Sequence, residues 1–293
     1  MDDKQVIIGL SGRKQSGKNT AMNFIVGLHL KALSIVKGKF DLTEKGELYV
    51  QDIFGNTDDE GIFDINMGTP QMEAFLTVNV DPYIKVYSFA DLLKQEVCMK
   101  ILGLTYEQCY GTDQEKNSLT HLKWEDMPGV ITEVYVLNTD AVVTGNYVNG
   151  DLLTFPECNY EHYFHSAGQM TAREVMQFVG TNIFRKMCGN VWVDALLRRV
   201  IQEGSATAII YDCRFPNEVF GIQDKNGKVI RLARNPHPED KHDSETALDP
   251  ENFDWNKFDA IVKNENSSIH EQNVELYNIL KGWNLLPVEL EGF

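Results

Sequence analysis

Residues 6–20 read VIIGLSGRKQSGKNT, and the fold turns on this stretch. Val6 to Leu10 is a short apolar run closed by a glycine-bearing turn, which reads as a buried strand. Beyond Lys18, the residues Ala21, Phe24, Ile25, Leu28, Ala32 and Ile35 recur at helical spacing, and Gly38 marks a stop. Between strand and helix, Gly12 and Gly17 stand five apart with Lys18 next. Glycines there let the backbone curl so that successive N–H groups face phosphate oxygens. The helix adds its positive end and Lys18 a mobile point charge. Gly12, Lys14, Ser16, Gly17, Lys18, Asn19 and Thr20 are therefore expected to bind a nucleoside triphosphate. Asn19 fills the position usual for a Mg²⁺-binding hydroxyl, and Thr20 comes one place later, so Thr20 is the expected metal ligand.

Outward from this loop, KVYSF (residues 85–89), TAIIY (207–211), KVIRL (228–232) and DAIV (259–262) read as further buried strands. Helices are expected over about 91–102, 169–187, 190–203 and 268–280. Thr171 and Glu174 have capping-box spacing. This alternation predicts an α/β protein, a P-loop fold with a parallel five-stranded sheet flanked by helices. The chain is read as a single domain over 1–293. Two β-rich insertions are expected, at about 38–84 and 128–165, the second with a hairpin turn at Asn149-Gly150. Residues 105–124 are polar and read as a loop with a short helix. A lid is expected at about 234–258.

Bulk composition narrows the function. The 293 residues are 43% hydrophobic, enough for a large core. The net charge of −16 argues against a nucleic-acid polymer as partner, because such a chain repels a phosphate backbone. A small anion can still bind where cations and N–H groups concentrate. No long uncharged apolar stretch predicts a membrane span or secretion signal. The five cysteines form no CxxC and fit reduced thiols in a cytoplasm.

In parallel sheets, ligands sit beyond the carboxyl ends of the strands. After TAIIY come Asp212, Arg214 and Glu218. An acid there could reach Mg²⁺ through water, Arg214 could clamp a phosphate, and Glu218 could orient that arginine. KVYSF carries Ser88 and leads into Lys94, a hydroxyl and a cation that can bind an anion at a helix start. Arg173, Gln177, Gly180 and Thr181 fall on one face of the 169–187 helix, where a helix-interior glycine has a packing or a ligand reason. Arg234 and Lys241 are the lid cations that closure would bring in. His162/His165 and His237/His242 lack the partners of a metal site. Residues 256–259 (NKFD) and 224–227 (DKNG) imitate GTPase elements but precede their strands instead of following them.

Together LSGRKQSGKNT, SFADLLK, REVMQFVGTNIF, WVDALL, DCRFPNE, RLARNP, SETAL and VKNENS resemble the bacteriophage deoxynucleoside monophosphate kinases. The resemblance implies ATP- and Mg²⁺-dependent phosphorylation of a deoxynucleoside 5′-monophosphate (dNMP) to the diphosphate. By position it gives Lys18 and Thr20 to ATP and the metal, and Asp212 to the neighbourhood of the metal. It gives Lys94, Arg173, Gln177 and Arg214 to the acceptor and phosphoryl sites. Asn19 departs from the aspartate frequent in relatives. A kinase of another phosphorylated metabolite, such as dephospho-coenzyme A, stays open, as does a non-catalytic nucleotide switch. The β insertions are left with edge elaboration or a homodimer contact as roles.

Overall fold

The computed structural model describes residues 5–67, 69–132, 152–154, 161–239 and 243–286. The chain divides into two compact units, residues 1–90 with 192–293, and residues 91–191. In chain order the first unit opens with β1 (Val6–Ser11), α1 (Lys18–Ala32), β2 (Phe40–Leu42), β3 (Leu48–Ile53), β4 (Asn56–Ile62), α2 (Pro70–Asn79) and β5 (Ile84–Tyr87). The short α3 (Phe89–Asp91) leads into a π-helix, Leu92–Ile101. The second unit adds α4 (Tyr106–Tyr110), α5 (Asp113–Lys116), β6 (Leu119–Lys123), β7 (Val130–Ile131), β8 (Leu152–Thr154), β9 (Glu161–Phe164), β10 (Gln169–Thr171) and α6 (Ala172–Gln177). A second π-helix, Phe178–Arg185, continues α6. The chain then runs through α7 (Val191–Glu203), β11 (Thr207–Cys213), α8 (Pro216–Asp224), β12 (Lys228–Leu232), α9 (Asp243–Thr246), β13 (Ala260–Val262) and α10 (Ile269–Gly282).

The central sheet of the first unit has the order β13-β12-β1-β11-β5 with every pair parallel. The expected five-stranded parallel sheet is therefore observed. Ile8 and Leu10 of β1 are fully buried in one cluster with Phe24, Ile25 and Leu28 of α1 and Leu276 and Leu280 of α10. The alternate position, Gly9, lies against Ile222 of α8 and Val229 of β12. Two-residue alternation thus sends β1 side chains into separate helical layers.

The first insertion is an antiparallel sheet, β2-β3-β4. Its β3-β4 hairpin turns at Phe54-Gly55. Asp52 and Phe54, at φ 59° and 53°, close it with Gly55. The insertion also holds an unexpected helix, α2, capped at Thr69-Pro70: the Thr69 hydroxyl accepts from Met72 N–H at 3.3 Å. The Asn149-Gly150 hairpin lies outside the described residues.

In the second unit, polar 119–123 forms β6, which pairs with β10. The long helix expected from residue 169 starts at Ala172, with the Thr171/Glu174 capping box in place. No described helix is long and apolar enough to cross a membrane.

Asp259, of the GTPase-like NKFD string, ties strands together. Its carboxylate accepts from Val229 N–H (2.9 Å), Gln223 Nε2 (2.9 Å) and Lys228 Nζ (2.8 Å). Burial pushes its pKa up, but these donors more than reverse that and leave it below the usual carboxylate value. Its contribution to stability is thus fully present above the usual carboxylate value and is lost as pH falls from there through its own lowered pKa. Asp259→Ala should lower Tm at neutral pH by a few degrees, as expected for a loss of about 1 kcal/mol. Nucleotide preference should be unchanged; a switch in base preference would contradict this structural role.

Candidate active site

The register of β1 sets the site. Ser11 pairs with Cys213 of β11 and Arg231 of β12, so the segments that follow these strands emerge side by side. The loop after β1 curls through left-handed Gln15 (φ 58°) and Gly17 (φ 98°), the latter capping α1. Curvature of this kind turns N–H groups to one side as an anion cradle. Asn264, 2% exposed just beyond β13, fixes the loop by donating to Ser16 O at 2.8 Å and to Gln272 Oε1 at 2.6 Å. Among the described residues the buried Ser16 Oγ has no hydrogen-bond partner, an unsatisfied polar group on the loop.

Ser16, Gly17, Lys18, Asn19 and Thr20 line a cavity of about 410 Å³ together with Arg234. Five expected loop residues and one expected lid cation therefore meet in one place. Lys14 does not line this cavity: its backbone N–H donates to Glu245 at 2.6 Å and its side chain is exposed. Lys18 is 7% exposed and its ammonium donates to Gly12 O and Arg13 O, both at 2.6 Å. Burial, reinforced by repulsion from Arg214 and Arg231 and opposed by Glu245 and Asp212, lowers its pKa to about 7.

The residues at and just beyond the carboxyl end of β11 do several jobs. Asp212 accepts from Ser88 Oγ (2.6 Å), Phe89 N–H (2.8 Å) and Ala90 N–H (3.2 Å), so the expected Ser88 and Asp212 are partners. Glu218 orients Arg214 through the backbone, accepting its N–H at 2.7 Å and that of Phe215 at 3.0 Å. The Arg214 guanidinium pairs with Glu245.

Glu245 and Asp249 went unread in the sequence. Glu245 is 7% exposed, and its second oxygen accepts from Lys14 N–H at 2.6 Å. Asp249 takes Arg13 in a two-pronged pair and lies 3.7 Å from Arg231. Arg13, 5% exposed, also donates to His237 O at 2.9 Å, and Arg231 stacks on Trp255. The 234–258 segment thus brings carboxylates onto the P-loop as well as the expected Arg234 to the cavity. Lys241 lies outside the described residues. The signal was SETALDP itself, two acids four apart, Glu245 on α9 and Asp249 three residues past its end.

In the second unit, Arg173 is held by Asn117 Oδ1 (3.0 Å) and Asp113 Oδ1 (2.7 Å). Lys94 lies 4.5 Å from the centre of the Tyr110 ring. Gln177 and Thr181 are exposed. Gly180 does not share their face. The π register beginning at Phe178 changes the spacing, and Gly180 is buried where a Cβ would meet Leu93 at 2.7 Å. Its reason is packing.

A strand, glycine-bearing loop and helix at the centre of an all-parallel sheet flanked by helices are those of an α/β P-loop fold. Within that class the chain belongs to the deoxynucleotide monophosphate kinase family, whose profile matches residues 82–273, about two thirds of it. It is a phosphotransferase that uses ATP to phosphorylate deoxynucleoside monophosphates. The P-loop precedes the matched region and stands on its own geometry. No curated protein matches the chain.

A phosphate seated against Lys18 would bind its charged form, so a nucleotide in this cavity would raise a pKa that starts near 7. Proton uptake on ATP binding is therefore expected to grow above about pH 7, toward one proton per site, while affinity falls. Calorimetry at about pH 8 in two buffers of different ionisation enthalpy reads this directly. Equal heats in both would refute it, and Lys18→Met should abolish the difference.

Proposed function

We propose that the cavity behind Gly12–Thr20 takes the triphosphate of ATP and that transfer to the dNMP phosphate runs on positioning and charge. The observation that carries this is the convergence of Ser16, Lys18, Thr20 and Arg234 on one cavity at the end of β1. The acceptor is already an anion, so no strong general base is required. Lys18 and Arg214 are the groups assigned to charge developing on the transferred phosphoryl. Lys18 must leave the carbonyl oxygens of Gly12 and Arg13 to do so. Glu218 and Glu245 hold Arg214 in place.

Mg²⁺ suits the donor set. A hard cation usually keeps water and phosphate oxygens and takes one or two protein oxygens. The Thr20 hydroxyl on the first turn of α1 would hold it. Asp212, whose carboxylate already receives three donors, would act through water. When bound, the ion supplies neutralisation of the phosphate oxygens.

Lys94, Arg173, Gln177 and Thr181 are assigned to the acceptor, on the family resemblance of their segments. The free Cys98, Cys109, Cys188 and Cys213 support a reducing compartment such as a cytoplasm.

Two variants test these assignments. Lys18→Ala should lower kcat by roughly 10²–10³, the cost of one preorganised donor. Arg173→Ala should raise KM for the dNMP and leave KM for ATP unchanged. Near wild-type turnover in Lys18→Ala, or an ATP-side defect in Arg173→Ala, would remove the corresponding role.

A further inference from the structure

The antiparallel insertion reaches the P-loop cavity through the turn between β2 and β3. That turn is closed by Gly46 N–H to Thr43 O (2.8 Å) and Thr43 N–H to Glu47 O (2.9 Å). The Thr43 hydroxyl also accepts from the N–H groups of Lys45 (3.3 Å) and Glu47 (3.2 Å). Asn23 of α1 donates to Gly46 O at 2.8 Å. Gly46 sits at φ 78°, and a Cβ there would lie 2.1 Å from Thr20 Oγ1. The turn therefore rests on the first turn of α1, beside the hydroxyl assigned to the metal. Behind it, Leu48 and Val50 are each 1% exposed in the core, and the Phe40 ring lies 6.1 Å from that of Phe24. A turn anchored in this way presents its tip in a fixed position.

Glu44 and Lys45, at that tip, line the same cavity as Lys18, Thr20 and Arg234. Among the described residues the Lys45 ammonium has no ion-pair partner, although the chain carries a net charge of −16. In so acidic a chain, an unpaired cation on the wall of an anion cavity is matched by the anion that enters.

We infer that Lys45 is a further donor-binding residue, an ammonium that the β insertion supplies to the triphosphate of ATP. The inference rests on the reading of this cavity as the donor site. It gives the insertion a role in nucleotide binding beyond decorating the edge of the fold.

The test is Lys45→Gln in the full chain, measured as KM for ATP, Kd for a non-hydrolysable ATP analogue, KM for the dNMP, and Tm. KM and Kd on the donor side should rise about fivefold at low salt, the scale of one partly exposed charge on a phosphate. KM for the dNMP and Tm should not move. Lys45→Arg should restore ATP binding, and the gap should close near 1 M salt, where charges are screened within about 3 Å. Unchanged ATP binding in folded Lys45→Gln overturns the inference. Lys18→Ala, measured alongside, separates the two failures. If it abolishes transfer while Lys45→Gln is neutral, only the role of Lys45 falls. If both are neutral, the donor-site reading falls with it.

Discussion

Parallel pairing of β1 between β11 and β12 is the constraint on which the first unit depends. Because all three strands run the same way, their carboxyl ends finish together, and Ser11 comes to lie level with Cys213 and Arg231. Each chain segment leaving those ends then has a chemical task. The loop follows β1, Asp212 sits at the carboxyl end of β11 with Arg214 just beyond it, and Arg234 follows β12. A shift of one residue in any of these pairings would reverse the alternation of Ile8 and Leu10 and take them out of the core they share with α1 and α10. The same burial that stabilises the sheet therefore holds the site in register. Asn264 extends this control beyond β13 by gripping the loop backbone itself.

The first unit was largely legible in its sequence because its signals are local. A buried strand, a glycine turn and an amphipathic helix each announce themselves within a few residues, and the five strands of the central sheet stand where apolar runs are found. What escaped reading is non-local or weakly patterned. β6 is polar because one face is exposed, so its pairing with β10 left no apolar run to read. The π register after Phe178 arises within a continuous helical pattern, and it moves Gly180 from an apparent wet face into contact with Leu93. Helix α2 carried a readable start in Thr69-Pro70, but its place between β elements obscured it.

The site was legible in kind and less so in its partners. Gly12 to Thr20 could be named from spacing alone. Arg13 and Arg231 could not, since nothing in a sequence distinguishes an arginine that is 5% or 4% exposed from one on the surface. Their burial is tolerable because Asp249 serves both and Trp255 lies against Arg231. Acids in a polar, proline-containing segment look like solvating residues until the fold sets them against buried cations.

Glu245 carries a consequence of its own. It holds the N–H of Lys14 and the guanidinium of Arg214, both donors of the kind a phosphate oxygen would seek. A phosphate that takes either one must take it from a carboxylate already in place, so occupancy here is a substitution of one anion for another and not the filling of a bare positive hole. The affinity of the loop for its ligand is then a difference between two anion interactions. Such a site can gather several cations in an acidic protein without leaving them exposed to repel one another.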